Sequence, residues 1–378
     1  MDKLKYIHHI SDIQIRNLKR HKEFNEVFER TYREIEKYKD DAVVYIGGDI
    51  AHSKTDMSPE LVKMLSDLFV NLADICPTIL IAGNHDCNLN NLNRLDVLTP
   101  IVDNLKHPNL LYYKKSGIYP YADVNFVVWD VWEDSTKYLQ AKDVPGDNKI
   151  LLFHGTVDKS ETDLGFKLPS DVKMSQMKGY DLVLLGDIHK RQFMNKEKTI
   201  AYCGSLVQQN HGEELGHGYL RWDVPTRKST YVEVPNDYGY YTLDIDKGVV
   251  PNVTDMPKKA RLRLRVKDTP STKLKKAMKE IRDTYGIEEM TVTRTDRLLD
   301  EDKVRSDAIN IGDVHDEDYR FSLIDEYLKN NFMIDDDTSV GVRKINEYLQ
   351  DFLKSSDVTR NLRWKLKKFE FSNMFSSH

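Results

Sequence analysis

Five short polar clusters, each set directly behind an apolar run, constrain this chain more than anything else in it. In order they are Ser11-Asp12-Ile13-Gln14, Gly47-Gly48-Asp49, Gly83-Asn84-His85-Asp86, His154-Gly155 and Gly186-Asp187-Ile188-His189. The runs before them, residues 4–10, 42–46, 78–82, 149–153 and 181–185, are β-rich, as are 125–131 and 199–203. Helical periodicity lies between the early runs. Residues 23–38 put Phe24, Val27, Phe28, Tyr32 and Ile35 on one face. Residues 59–73 carry Leu61, Met64, Leu65, Leu68 and Leu72, with Ser58 and Pro59 as a start signal. Strands alternating with helices predict an α/β layered fold over residues 1–235. In such sheets, sites form beyond the strand ends, on the loops.

The clusters supply a particular chemistry. Asp12, Asp49, Asn84, His154, Asp187 and His189 offer oxygen and nitrogen ligands and no thiolate. That mixture suits Mn²⁺, Fe²⁺ or Mg²⁺ better than structural zinc. Asp49 follows two glycines, so the backbone can turn tightly and present one carboxylate to two ions. A bridging carboxylate holds cations about 3.5–4 Å apart, and such a pair activates a bound water for attack on phosphorus. His85, next to the ligand Asn84, is expected to face the substrate and to stabilise developing charge or protonate the leaving oxygen. Asp86 is expected to fix the ring of His85. Singly these signals are weak: a Gly-Asp after a strand is common, and isolated histidines such as His52 and His107 are more often surface residues. Five clusters in order form a constellation.

Composition narrows the class. The chain has 378 residues, 40% hydrophobic and 31% charged, enough to bury a real core. A net charge of -5 argues against a generic nucleic-acid coat, although bound cations reverse the potential locally. Three scattered cysteines, Cys76, Cys87 and Cys203, fit a reducing, cytoplasmic setting and no zinc-finger spacing. The N-terminus lacks an apolar h-region, and no run approaches the ~18 apolar residues of a membrane span.

Beyond the core, residues 219–224 and 230–234 read as its last strands. Residues 236–300 predict a small α+β capping, DNA-binding subdomain: a strand at 260–267, a helix at 272–284 and a strand at 290–294. In the first strand Leu262, Leu264 and Val266 alternate with Arg261, Arg263 and Arg265, which reads as a half-buried strand with its arginines outward; Arg263 and Arg265 could face DNA, but outward charges on a strand are more often just solvated. Residues 301–318 read as a polar linker, 319–354 as two amphipathic helices (319–332 and 340–353), and 355–378 as a basic, aromatic tail.

Clusters of this order and spacing resemble the motifs of the calcineurin-like metallophosphoesterase superfamily, GGD and GNHD most specifically. Within it, SDIQIR, LLGDIHKRQ and AYCGSLVQQNHGE resemble the nuclease subunit of SbcCD-type double-strand-break repair complexes. The resemblance implies a four-layer α/β/β/α sandwich and a DNA nuclease, a 3′–5′ exonuclease on duplex ends and an endonuclease on single strands. It implies two divalent ions, Mn²⁺ foremost and Mg²⁺ second. Asp12, Gln14, Asp49 and His189 would hold the first ion, and Asp49, Asn84, His154 and Asp187 the second, with His85 catalytic. Gln14 and Asp187 stand where most members have His. An added carboxylate compensates cationic charge, whereas an amide is a weaker donor than imidazole. DNA phosphates would meet Arg16, Lys19, Arg20, Asn88, Arg94, Lys190 and Arg191. The helical pair is similar to the segment that docks on an SMC-like ATPase, and the tail resembles the first strand of that ATPase, as in a fused polypeptide. Relatives commonly pair as homodimers. Two other readings share the motifs: a phosphatase or phosphodiesterase of small molecules, and a weakly active DNA-end scaffold in which Gln14 limits catalysis.

Overall fold

Apolar strands of five or six residues with little polar interruption are built to be buried on both faces, and that is where they lie. A computed structural model describes residues 2–295 apart from 92 and 164. The expected linker, helical pair and tail, with positions 296–300, fall outside the described residues.

One sheet contains β1 (Tyr6–Ile10), β2 (Ala42–Gly47), β3 (Thr78–Ile81) and β4 (Leu110–Tyr112), with the later β11 (Gly218–Asp223) and β12 (Lys228–Glu233). Its order is β12-β11-β1-β2-β3-β4. The second has β5 (Gly117–Tyr121), β6 (Val124–Trp129), β7 (Lys149–His154), β8 (Leu182–Gly186), β9 (Gln192–Phe193) and β10 (Ile200–Tyr202), ordered β5-β6-β7-β8-β10-β9. Both are mixed: β1, β2, β3 and β4 run parallel, as do β6, β7, β8 and β10, while β11, β12, β5 and β9 pair antiparallel.

The sheets pack face to face through Ile7, Val43, Tyr45 and Ile79 on one side and Phe126, Val128, Leu152 and Leu184 on the other. Helices α1 (His21–Glu36), α2 (Pro59–Ile75) and α3 (Thr99–Leu105) cover the outer face of the first sheet through Phe24, Val27, Leu65, Phe69 and Ile101. Ser58 caps α2 by accepting from the Leu61 amide at 3.2 Å. The outer face of the second sheet departs from the expected fourth α layer. Among the described residues it is covered by loops and short 3₁₀ turns, which bring Tyr138, Ala141, Val144 and Met177 onto Trp129, Phe153 and Leu185. The stretch between β6 and β7 has no long apolar stripe, so it closes the core with single anchors. Tyr138 is one of them, its ring 4.7 Å from that of the fully buried Trp129 at the end of β6.

A small three-stranded parallel sheet follows: β13 (Tyr238–Asp246), β14 (Lys259–Lys267), α4 (Ser271–Thr284) and β15 (Ile287–Arg294), in the order β13-β14-β15. Leu243, Ile245, Leu262, Leu264 and Val266 bury against Leu274 and Ile281. The strand-helix-strand expectation missed β13, whose Tyr-rich stretch lacks a clean alternation. It also misread Arg261, which is 5% exposed rather than solvated. Arg263 and Arg265 do face solvent, but the N-terminal end of β14 abuts α1, and Arg261 pairs there with Glu23 at 2.8 Å. Arg30 with Asp237 at 2.7 Å and Lys259 with Glu26 at 3.3 Å complete the attachment to α1. No described helix is long and apolar enough to cross a membrane. All three cysteines are unpaired and buried.

Candidate metal centre

Parallel strands present their C-terminal ends on one side, so β1, β2, β3, β7 and β8 deliver their following loops to one place. The side chains that start 175 positions apart, Gln14 and His189, meet there at 3.1 Å. Ligand atoms of Asp12, Asp49 and His154, all buried, lie within 4.8 Å of one another.

Asp49 stands in the middle. Its Oδ1 is 3.3 Å from His154 Nε2 and accepts the His85 amide at 2.8 Å. Its Oδ2 faces the other way, accepting from Gln14 Nε2 at 3.4 Å and lying 3.8 Å from His85 Nε2. Around His154 Nε2 gather Asn84 Oδ1 at 3.0 Å and Asp187 Oδ1 at 3.8 Å. His154 donates Nδ1–H to the Gly47 carbonyl at 2.7 Å, which leaves Nε2 turned to the carboxylates. His189 is held likewise: Nδ1 reaches Glu213 Oε1 at 2.8 Å while Nε2 meets Gln14. Asp12 accepts the Asp187 amide at 3.1 Å, and Asp187 Oδ2 accepts the Thr156 hydroxyl at 2.6 Å.

The backbone is bent to achieve this. Asp12, Gln14, Asp49 and Asp187 all have positive φ, at 52°, 49°, 50° and 101°. Non-glycine residues enter that region at a cost, and such strain collects at functional sites. Gly48, at φ +89°, is irreplaceable for a second reason: a Cβ there would stand 2.5 Å from His154 Nδ1.

The donor set fits a cation. Burial pushes Asp12 up to about 6, against the pull of His154 and His189. Burial disfavours charge on His154, yet Asp49, Asp12 and Asp187 outweigh it and hold its pKa well above the ordinary value. His189, also opposed by burial, is raised to about 9 by Glu213, Asp12 and Asp49. Carboxylates that drive their own histidines to take up protons are short of positive charge, which a divalent ion supplies.

Two expectations need correction. Asp86 does not orient His85. It is fully buried and accepts the amides of Ile50 (3.0 Å), Ala51 (2.9 Å) and Gly83 (2.9 Å), so it ties the second cluster to the third. Burial and the charge of Asp49 push it up to about 7, against those three donors. The His85 ring is fixed instead by the His52 carbonyl, 2.8 Å from Nδ1, and by stacking on the His52 ring at 5.6 Å. Nor is Arg20 an exposed cation: its side chain is 4% exposed and pairs bidentately with Glu23. A carboxylate three residues on, at the start of α1, was the available signal.

Among the other expected phosphate contacts, Lys19, Arg94 and Arg191 are exposed, and Arg16, Asn88 and Lys190 are half-buried. Arg191 stacks on Tyr231 at 3.5 Å, and Lys190 lies 3.7 Å from Glu161. The sequence reading missed His52 and Glu213. His52 Nδ1 lies 3.3 Å from Gln14 Oε1. Only its position two residues after Ile50, in the loop that Asp49 begins, hinted at the site.

Two sheets packed face to face with an Asp/His centre at their common strand ends fit a metallophosphoesterase domain. Residues 5–191 match the calcineurin-like phosphoesterase family, and the chain carries a calcineurin-like metallophosphoesterase domain with a metal-binding type of site. The chain is also similar to an uncharacterized protein of Acanthamoeba polyphaga mimivirus, 37% identical over 400 residues that cover 99% of this chain. It spans 29% of that relative's length.

Proposed function

We propose that this chain is a two-metal DNA nuclease that works with an SMC-like ATPase, on the same or a separate polypeptide, and pairs as a homodimer. One observation carries the nuclease reading. The segment 201–213, which carries the resemblance to repair nucleases, is built into the metal centre: Glu213 holds His189, and Gln209 donates to Glu213 (2.6 Å) and to the Ile13 carbonyl (3.0 Å). A small-molecule phosphatase has no evident need of that segment.

In this reading Asp12, Gln14, Asp49 and His189 would hold one ion and Asp49, Asn84, His154 and Asp187 the other, with Mn²⁺ preferred and Mg²⁺ second. When bound, the ions supply Lewis acidity and an acidified water. The chain's own part is orientation and proton handling. Asp49 offers one oxygen to each half of the site. His85 commits Nδ1–H to His52, so Nε2 is the ring atom left for a phosphate oxygen or the leaving group. Arg16, Lys19, Asn88, Arg94, Lys190 and Arg191 would guide the strand by its phosphates.

The test compares end-labelled duplex and single-stranded DNA with p-nitrophenyl phosphate and its bis-ester, in Mn²⁺ and in Mg²⁺. Mn²⁺-dependent DNA cleavage is expected. Fast monoester turnover with intact DNA sinks the nuclease reading. A second reading, a weakly active scaffold for DNA ends, is favoured by Gln14, whose amide nitrogen and not its oxygen faces Asp49 and His189. Metal analysis separates the two: one tight ion per chain supports the scaffold, two support the nuclease.

A further inference from the structure

A cleft of about 530 Å³ lies between the loop after β1 and the small sheet, lined by Arg16, Lys19, Arg20, Lys22, Arg261 and Tyr240, among others. Its floor is unusual. Arg20 and Arg261 are 4% and 6% exposed, yet they share a single buried carboxylate, Glu23. Glu23 is already saturated: it accepts Arg20 Nε and Nη2 at 2.9 Å and Asn236 at 2.9 Å, with Arg261 Nη1 at 2.8 Å. Among the described residues, Arg20 Nη1 and both Nε and Nη1 of Arg261 are buried with no hydrogen-bond partner, Nη1 meeting Glu23 only as an ion pair, and so is Nε of Arg16 at the mouth. The nearest further carboxylate oxygen, on Glu289, is 4.0 Å from Arg261 Nε, beyond hydrogen-bond distance.

Both guanidinium groups lean on Glu23, with Glu213 acting on Arg20 from farther off and Glu289 4.0 Å from Arg261, and it is the unmet buried donors that are costly. The rings of Tyr238 and Tyr240, each 5.5 Å from the Arg261 guanidinium, hold it in place instead of neutralising it. An oxyanion completes such a set: guanidinium forks match phosphate geometry, and the cleft is of ligand size. Around the cleft five cationic side chains face three carboxylates. Arg16 joins it to the metal centre, since it follows Gln14 by two positions.

We propose that this cleft is a phosphate-binding site in which Arg20 and Arg261 grip a backbone phosphate of the nucleic-acid strand entering the metal centre. The oxyanion site stands on the guanidinium pair itself; the choice of a strand phosphate over a free one rests on the nuclease reading.

The experiment uses the full chain stripped of metal, so that the carboxylate centre repels anions. In the first arm inorganic phosphate is titrated against chloride at matched ionic strength while the thermal midpoint is read. A saturable rise is expected for the wild type and its loss in Arg261→Gln. That variant should fold, because Arg20 still neutralises Glu23, and its midpoint without phosphate should equal or exceed the wild type. Should it fail to fold, Lys22→Gln at the exposed mouth is expected to weaken the phosphate response about threefold. No phosphate response in the wild type, or an equal response in Arg261→Gln, overturns the site. In the second arm a labelled single strand is bound. Arg261→Gln is expected to weaken binding about tenfold and to lower the slope of log K against log salt by about 0.7, one phosphate contact. A positive first arm with unchanged strand binding overturns the strand phosphate and leaves a free phosphate or small phosphorylated compound as the occupant.

Discussion

At the scale of single residues, the centre turns on which atom of each side chain is left free. His154 and His189 spend Nδ1 on Gly47 and Glu213 and keep Nε2 for the site. His85 spends Nδ1 on His52 and keeps an Nε2 that is 3.8 Å from Asp49. Removing it should therefore spare metal binding and harm turnover: His85→Ala is expected to lower kcat for a phosphodiester by roughly 10²–10⁴. Unchanged kcat in a stopped-time cleavage assay removes His85 from catalysis. Gln14 is the opposite case. Gln14→His replaces a neutral amide by imidazole, and more Mn²⁺ should be retained per chain, with faster cleavage. Equal metal content by elemental analysis, together with equal rates, shows that Gln14 limits nothing.

At the scale of elements, five strand ends and one later segment build the site together. The strand ends bring the candidate ligands; the loop before β11 holds one of them, through Glu213 to His189 at 2.8 Å. Partners of this kind raise ligand basicity and fix ring orientation, and losing them costs about 10–100-fold in metal affinity. Glu213→Ala is expected to fall in that range by Mn²⁺ titration calorimetry, with the circular dichroism of the fold retained. An affinity equal to the wild type assigns Glu213 a packing role alone.

At the scale of the whole molecule, the sheet interface carries a pH liability. His9 on β1 is fully buried, its ring 5.2 Å from Tyr45 between the sheets, and burial lowers its pKa to about 3. The folded state thus refuses a proton that the unfolded chain accepts below its ordinary value near 6.5. Between pH 6.5 and about 3 the unfolded state binds more protons, so stability is full above pH 6.5 and is lost as pH falls. One such group contributes about 1.4 kcal/mol per pH unit within that window. His9→Leu should flatten the urea-unfolding stability curve by about one proton's worth over it. A variant with the same slope as the wild type moves the acid sensitivity elsewhere.

The sequence by itself determined an alternating α/β layered core and the polar clusters at its strand ends, because both follow from local pattern. Buried strands read as apolar runs, amphipathic helices as stripes, and candidate ligands as polar residues stranded at strand ends, so Asp12, Asp49, His154 and His189 were legible as a set, though weak singly. Only the tertiary structure decided their partners. That Asp86 braces backbone amides and leaves the His85 ring to a His52 carbonyl is a matter of which atoms face which, and no spacing encodes it. That Arg261 is buried while Arg263 and Arg265 are not depends on where β14 meets α1, a contact between segments more than two hundred positions apart. Local periodicity is written along the chain; proximity between distant segments is created by packing.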